Sequence, residues 1–242
     1  MPQILMPPKA SVKTAVGPEF RHELKYLITT AQVEMLKSRL TGIVQLDSHA
    51  FGGSYRIRSL YFDDYDDRGF YENENGVDPR EKFRIRIYNA DASRITLECK
   101  RKERGKTHKT ACPLTLEQTR RLMDGIPPGD IAHQPPLLQK LTVRMLTAQM
   151  HPVVIVEYDR VPYVCQLGNV RITLDTSISS STEIARFLEP DIPRRPVLPL
   201  GQQLLEVKYD TFLPDYIYRS LALDNLSQTA FSKYYLCRKY SR

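Results

Sequence analysis

Residues 82–102 read KFRIRIYNADASRITLECKRK, and the fold turns on this stretch. Lys82, Arg84 and Arg86 alternate with Phe83, Ile85 and Ile87, the period of two of a strand with one polar and one apolar face. Asn89 to Ser93 supplies turn chemistry. The return strand alternates again, with Arg94, Thr96, Glu98 and Lys100 against Ile95, Leu97 and Cys99. The segment is therefore a β-hairpin carrying at least five cations and one carboxylate on the same side. A solvated sheet face accounts for one such hairpin. It does not account for the same pattern in strand after strand, because crowded cations need water or an anion and an unpaired buried charge costs several kcal/mol.

The pattern recurs on both sides of the hairpin. Upstream, residues 19–28 (EFRHELKYLI) read as a strand with Arg21, Glu23 and Lys25 on one face. Thr30 is a helix N-cap before Val33, Leu36 and Leu40. Residues 54–62 (SYRIRSLYF) form a second strand with Arg56 and Arg58 together. The acidic run at 63–67 lacks the glycine and closing glutamate of a calcium loop and reads as a solvated loop. Downstream, 101–109 (RKERGKTHK) is a basic run read as an exposed turn, with a mobile lid as the sharper alternative. Thr115 and Gln118 form a capping box on a helix that stops at Gly125. Leu137, Leu138, Leu141 and Met145 mark another amphipathic helix. Residues 152–164 form a strand carrying Arg160, and 169–176 its hairpin partner, with Arg171, Thr173 and Asp175 on one face. Prolines across 190–199 make an extended connector. The last strand, 203–210, puts Glu206 and Lys208 on one face. Pro214 then starts a helix, and the chain closes on FSKYYLCRKY.

These elements predict an α+β fold: an antiparallel β-barrel of about eight strands with helices packed around it. With the charged faces inward, the barrel becomes a cationic tunnel with a few acidic residues. Its natural filling is a chain of phosphates with a divalent metal, since arginine forks and lysine point charges grip phosphate oxygens and carboxylates hold the ion. The 242 residues allow one large domain with a proper core, and a net charge of +7 suits an anionic partner. The four cysteines show no metal-ligand spacing and read as free thiols. No apolar run approaches a membrane span. Residues 1–18 read as a disordered tail without the apolar centre of a signal peptide, so the expectation is a cytoplasmic protein with one domain over 19–242. The aromatic and apolar residues of the central hairpin lie opposite its cations, which argues against nucleic acid as the partner.

The ordered series FRHELKY, YRIRSLYFDD, KFRIRIYN, LECKRK, YDRVPY, VRITLDT, LEVKY and FSKY resembles the polyphosphate polymerase (VTC) domain of the triphosphate tunnel metalloenzyme superfamily, over nearly the whole folded chain. The resemblance implies a metal-dependent enzyme that transfers the terminal phosphate of ATP to a growing polyphosphate chain. In that reading Arg84, Arg86, Lys100, Arg160 and Arg171 act on the substrate phosphates. Arg21, Lys25, Arg58, Lys82, Lys208 and Lys233 line the same channel, and Glu206, with Glu98 second, holds Mn²⁺ or Mg²⁺. Two departures stand out: Ala230 occupies the place of a second lysine, and residues 72–75 (ENEN) the place of an arginine for which Arg80 or Lys82 substitutes. Relatives that cleave triphosphate open with Glu-x-Glu-x-Lys, and this chain has Arg21-x-Glu23-x-Lys25. The alternatives are thus an inorganic or nucleoside triphosphatase of the same fold, or a non-catalytic polyphosphate-binding module. The resemblance leaves room for a stand-alone domain or one associating with a separate membrane protein.

Overall fold

The computed structural model describes residues 21–222 and 225–241; the tail expected at 1–18 lies outside them. In chain order the elements are β1 (His22–Thr29), α1 (Thr30–Leu40), β2 (Gln45–Leu46), β3 (Tyr55–Asp63), α2 (Arg68–Glu74), β4 (Arg80–Tyr88), β5 (Asp91–Glu103), β6 (Lys106–Leu114), α3 (Leu116–Met123), α4 (Pro136–Ala148), β7 (His151–Cys165), β8 (Val170–Ser181), β9 (Arg195–Pro196), β10 (Gln202–Tyr209), α5 (Asp215–Leu221) and α6 (Lys233–Lys239). Eight strands form one antiparallel path, β1-β10-β8-β7-β3-β4-β5-β6, with β2 and β9 attached to β7 and β8.

Local chemistry explains most boundaries. Thr29, one residue earlier than expected, caps α1 in a reciprocal capping box with Gln32, and Thr115 does the same for α3 with Gln118. Asn89 and Ala90 both take left-handed backbone angles, φ 53° and 56°, which closes the β4–β5 hairpin in two residues. Arg104 and Gly105 repeat the device at φ 51° and 74°. The basic run at 101–109 is therefore a second hairpin joining β5 to β6, a correction to the exposed turn expected there. The acidic run is corrected as well. Asp63 and Asp64 are buried, and Asp63 accepts from the Gly69 and Phe70 amides at 2.8 and 3.0 Å, anchoring the start of α2.

The sheet curls through 195° and its edge strands come within 6 Å, which makes an open half-barrel and not the closed tunnel expected from the strand count. The physical reason lies in where the edge amides go. One isolated bridge, Arg21 with Thr107, joins β1 to β6. Further along, the free edge of β1 is taken by the segment before α6: Tyr26 pairs with Gln228, and the Thr229 amide donates to the Lys25 carbonyl at 2.8 Å.

Apolar side chains sort into three clusters. One packs the convex side of β3–β6 under α3 and α4, through Phe83, Ile85, Leu97, Leu122, Leu138 and Leu141. A second joins the convex side of β1, β8 and β10 to α1 and α5, through Leu36, Ile172, Leu205, Val207 and Ile217. The third is on the concave side, where Tyr61, Val154, Val156, Ile178 and Leu204 meet Phe70 of α2 and Tyr234 and Cys237 of α6. The tyrosine-rich terminus is thus a helix filling one end of the half-barrel. Tyr234 secures it with a hydroxyl bond to Asp63. No helix among the described residues is long and apolar enough to cross a membrane.

Candidate functional site

The concave face encloses a cavity of ≈ 910 Å³, at the upper end of the range for small-ligand sites. Among the described residues thirteen lysines and arginines line it against two carboxylates, Glu23 and Glu206. Antiparallel register explains the gathering. Residues two apart on a strand share a face, and Lys82, Arg84 and Arg86 of β4 stand opposite Lys100, Glu98 and Thr96 of β5. Lys25 of β1 stands opposite Glu206, and Glu23 opposite Lys208. Arg21, Arg160, Arg171 and Lys233 complete the wall with them.

Two expected site residues lie elsewhere. Arg58 points to the convex side, where it is 1% exposed. It pairs with Glu157 and donates to the carbonyls of Phe187, Glu189 and Pro190. On β3 the concave residues are Tyr55, Ile57 and Tyr61, so this strand turns its arginines outward. Glu98 shares the concave side but is covered: Arg84 at 2.7 Å, Arg86 at 3.4 Å and Lys109 at 3.0 Å occupy its oxygens, and it does not line the cavity.

The remaining charges form two linked groups. Near α6, Arg160 grips Asp175 through two bonds of 2.6 and 2.7 Å, and Lys233 bridges Asp175 and Glu206, 2.7 Å from each. Arg160 and Lys233 also lie over the Tyr158 ring, 5.2 and 4.8 Å from its centroid. At the seam, Glu23 receives Lys100 at 2.7 Å, Lys208 at 3.5 Å and Lys25 at 3.6 Å. Lys208 also reaches Glu206 at 2.8 Å, which ties the groups together.

Burial opposes ionisation of both cavity carboxylates, yet the surrounding cations prevail. Lys100, Lys25 and Lys208 hold Glu23 well below the usual carboxylate range, and Lys208, Lys233, Lys25 and Arg160 do the same for Glu206. Burial lowers Lys100 to about 8 despite Glu23, with Lys25 and Lys208 adding to the shift. Burial, then Arg80, Lys100 and Lys25, lowers Lys82 well below the ordinary lysine value. Its ammonium rests on Asn73 at 2.6 Å and Ser232 at 3.2 Å.

No group of three or more metal-ligating side chains occurs among the described residues. The donor chemistry still fits Mg²⁺ or Mn²⁺ of one particular kind. Glu23 and Glu206 occupy diagonal positions on paired strands, roughly 7–8 Å apart along the sheet. Mg²⁺ is ordinarily bound through one or two carboxylates plus substrate phosphates and water, not by an all-protein cage. The pair suits an ion that arrives with a phosphate chain.

Sequence reasoning left several wall residues unassigned. Glu23 shares the face of Lys25 by alternation, as Asp175 shares that of Arg171; Glu23 lines the cavity, and Asp175 holds Arg160 and Lys233 without lining it. Their signal was the shared alternation. Tyr158 and Lys102 continue the alternation of Arg160 and Lys100, whereas Lys109 carries no such signal, because only the pairing of β6 with β5 brings it to the same cavity.

No curated protein matches this sequence. Among solved structures, a candidate adenylyl cyclase from Hippeastrum with a dominant triphosphatase activity is similar at a TM-score of 0.55 and 14% identity, over 93% of this chain and 97% of that one. A candidate adenylate cyclase from Bacillus halodurans is similar at a TM-score of 0.50 and 16% identity, over 88% and 94%. At such identities these likenesses speak to the fold. The VTC domain family model matches residues 20–241, nearly the whole chain. Together with the cationic concave site, this places the chain in the VTC domain family, part of the triphosphate tunnel metalloenzyme superfamily and its phosphoryl-transfer chemistry.

Proposed function

We propose that the chain is a metal-dependent triphosphatase, cleaving the terminal phosphate of a triphosphate with water as acceptor. One observation carries this reading: the cationic cavity is filled at one end by α6, with Tyr234 and Cys237 buried against the sheet. A polymerase that extends a chain is served by a second mouth for its product, whereas a hydrolase works in a dead-end pocket. The triphosphatase activity of the Hippeastrum relative supports the same reading.

Arg84 and Arg86 hold the phosphates on β4, and Arg160 and Lys233 hold them near α6. Their positions are set before substrate arrives by Glu98, Asp175 and Glu206. Such preorganised donors stabilise charge that spreads over the transferred group, which is most of what phosphoryl transfer needs. Glu206 and Glu23 would hold a divalent ion, which would supply charge neutralisation to the phosphates. Tyr61 accepts from Arg84 at 2.8 Å and limits its rotation.

A second reading, polyphosphate synthesis from ATP, is favoured by the VTC family match. Incubation with ATP or triphosphate and Mn²⁺, resolved on a gel, separates the two. Release of orthophosphate without longer chains supports the triphosphatase. A ladder of chains longer than the input overturns it in favour of the polymerase. Binding without turnover leaves a polyphosphate-binding module.

A further inference from the structure

A second cavity, of ≈ 340 Å³, lies on the convex side, where the ends of β3, β4 and β5 meet α2 and α4. Its size falls within the range of small-ligand sites. Phe62, Pro79, Phe83 and Met150 give it an apolar lining, and Arg68, Arg80, Arg101, Lys140 and Arg144 face it against four carboxylates. Three of those carboxylates are committed. Asp63 accepts from the Gly69 and Phe70 amides and from the Tyr234 hydroxyl. Asp64 accepts from the Arg68 amide at 2.8 Å and lies 3.4 Å from its guanidinium. Glu81 takes Lys140 at 2.7 Å and Arg101 at 3.7 Å.

Two arginines are left over. Among the described residues Arg80 bonds only the Val77 carbonyl, at 2.7 Å, and the Arg144 guanidinium has neither an ion pair nor a hydrogen bond. Two guanidiniums beside apolar walls suit a carboxylate carried on an apolar body, since the arginine fork matches carboxylate geometry. Glu72 faces the same space. Burial raises its carboxyl against the pull of Arg68, with Asp63 and Asp64 adding to the rise. An anion beside it raises it further, so Glu72 yields by taking a proton. Arg80, at the start of β4, lines both cavities. We propose that the convex cavity binds a small organic carboxylate through Arg80 and Arg144, and that this ligand opposes anion binding in the concave cavity because both draw on Arg80. The opposition is reciprocal by linkage. It rests on the phosphate-binding reading of the concave cavity, whereas the convex site stands without it.

The probe is 4-fluorobenzoate, titrated with the full chain and followed by fluorine NMR without divalent metal, so that triphosphate is bound but not turned over. Saturable binding is expected, and it should persist more weakly when triphosphate fills the concave cavity. Arg144→Ala is expected to weaken the probe about tenfold, the loss of one charge-assisted bond, while triphosphate affinity by calorimetry stays at the wild-type value. In Arg80→Ala triphosphate should no longer change the affinity of the probe. Complete displacement by triphosphate, or undiminished binding to Arg144→Ala, would put the probe in the concave cavity and overturn the convex site. Absence of saturable binding at millimolar probe overturns it as well. Equal probe affinity with and without triphosphate overturns the coupling and leaves the site. Failure of triphosphate to bind the wild-type protein overturns the phosphate reading and the coupling with it, and the convex site is then decided by Arg144→Ala alone.

Discussion

Lys100 donates to Glu23 at 2.7 Å across the open seam of the half-barrel, joining β5 to β1, strands that are not neighbours in the sheet. Thr107 of β6 reaches the same carboxylate at 3.3 Å. The seam is thus held by a buried charge at the place where the backbone ladder is interrupted. It couples the curvature of the sheet to the charge of the cavity.

That coupling gives a pH dependence. Lys100 sits near 8, below its ordinary 10.5. An anion binds the protonated amine, so below pH 8 the proton is already present and above pH 8 it must be taken up. Triphosphate affinity is expected to fall as pH rises through 8, with proton uptake visible in calorimetry in buffers of different ionisation enthalpy. Lys100→Arg, which keeps its charge, is expected to remove the share of the uptake that Lys100 contributes, leaving that of Lys82. Without ligand the sign is opposite for stability: between about 8 and 10.5 the unfolded chain holds a proton that the fold has shed, so this group makes unfolding less favourable as pH rises.

Phosphate-rich anions are expected to stabilise the fold, because thirteen cations around one cavity repel until an anion neutralises them. A ligand bound only to the native state at 100 times its dissociation constant adds about 2.7 kcal/mol. Thermal melts with triphosphate and with sulfate at equal ionic strength check this. Equal shifts would count against a dedicated phosphate site.

Arg86→Ala and Glu206→Ala should fail differently. Loss of Arg86 removes a donor to the phosphates and is expected to lower kcat at every metal concentration, by about 2.7–4 kcal/mol in the transition state. Loss of Glu206 removes one carboxylate partner from Lys208 and Lys233, which now share it at 2.8 and 2.7 Å, leaving them Glu23 and Asp175. Metal-free triphosphate binding should then persist or tighten, while metal-dependent turnover collapses and returns in part at high Mn²⁺. Unchanged metal dependence in Glu206→Ala would move the metal role to Glu23.

Arg58→Met tests the placement of Arg58 on the convex side. Removing one partner of a buried pair typically costs about 3–5 kcal/mol, so the melting temperature should drop. The kcat/KM per folded molecule should stay near wild type, since Arg58 is remote from the cavity wall. A selective loss of kcat/KM with unchanged stability would return Arg58 to the substrate.

Much of the site was legible along the chain because strand alternation is a local property. Lys82, Arg84, Arg86, Lys100, Arg171, Glu206 and Lys208 share a face by counting alone, and the capping box at Thr115 follows from side-chain reach, whereas the cap of α1 falls on Thr29 and not on the Thr30 expected. Which of a strand's two faces turns inward is not local. Arg58 alternates as regularly as Arg84, and only its pairing with Glu157 of β7, 99 residues away, shows that it faces out. Glu98 was on the correct face, but its burial under Arg84, Arg86 and Lys109 depends on the packing of three adjacent strands.

The chain by itself determined the strands and the gathering of cations on one face of most of them, since each follows from residues a few positions apart. Tertiary structure decided the rest. The sheet stops short of closing because Gln228 and Thr229 take the edge of β1. One end is filled because Tyr234 and Cys237 bury themselves against the concave sheet, far from their own sequence neighbours. These outcomes rest on hydrogen bonds and apolar contacts between segments distant in sequence, which no local pattern encodes.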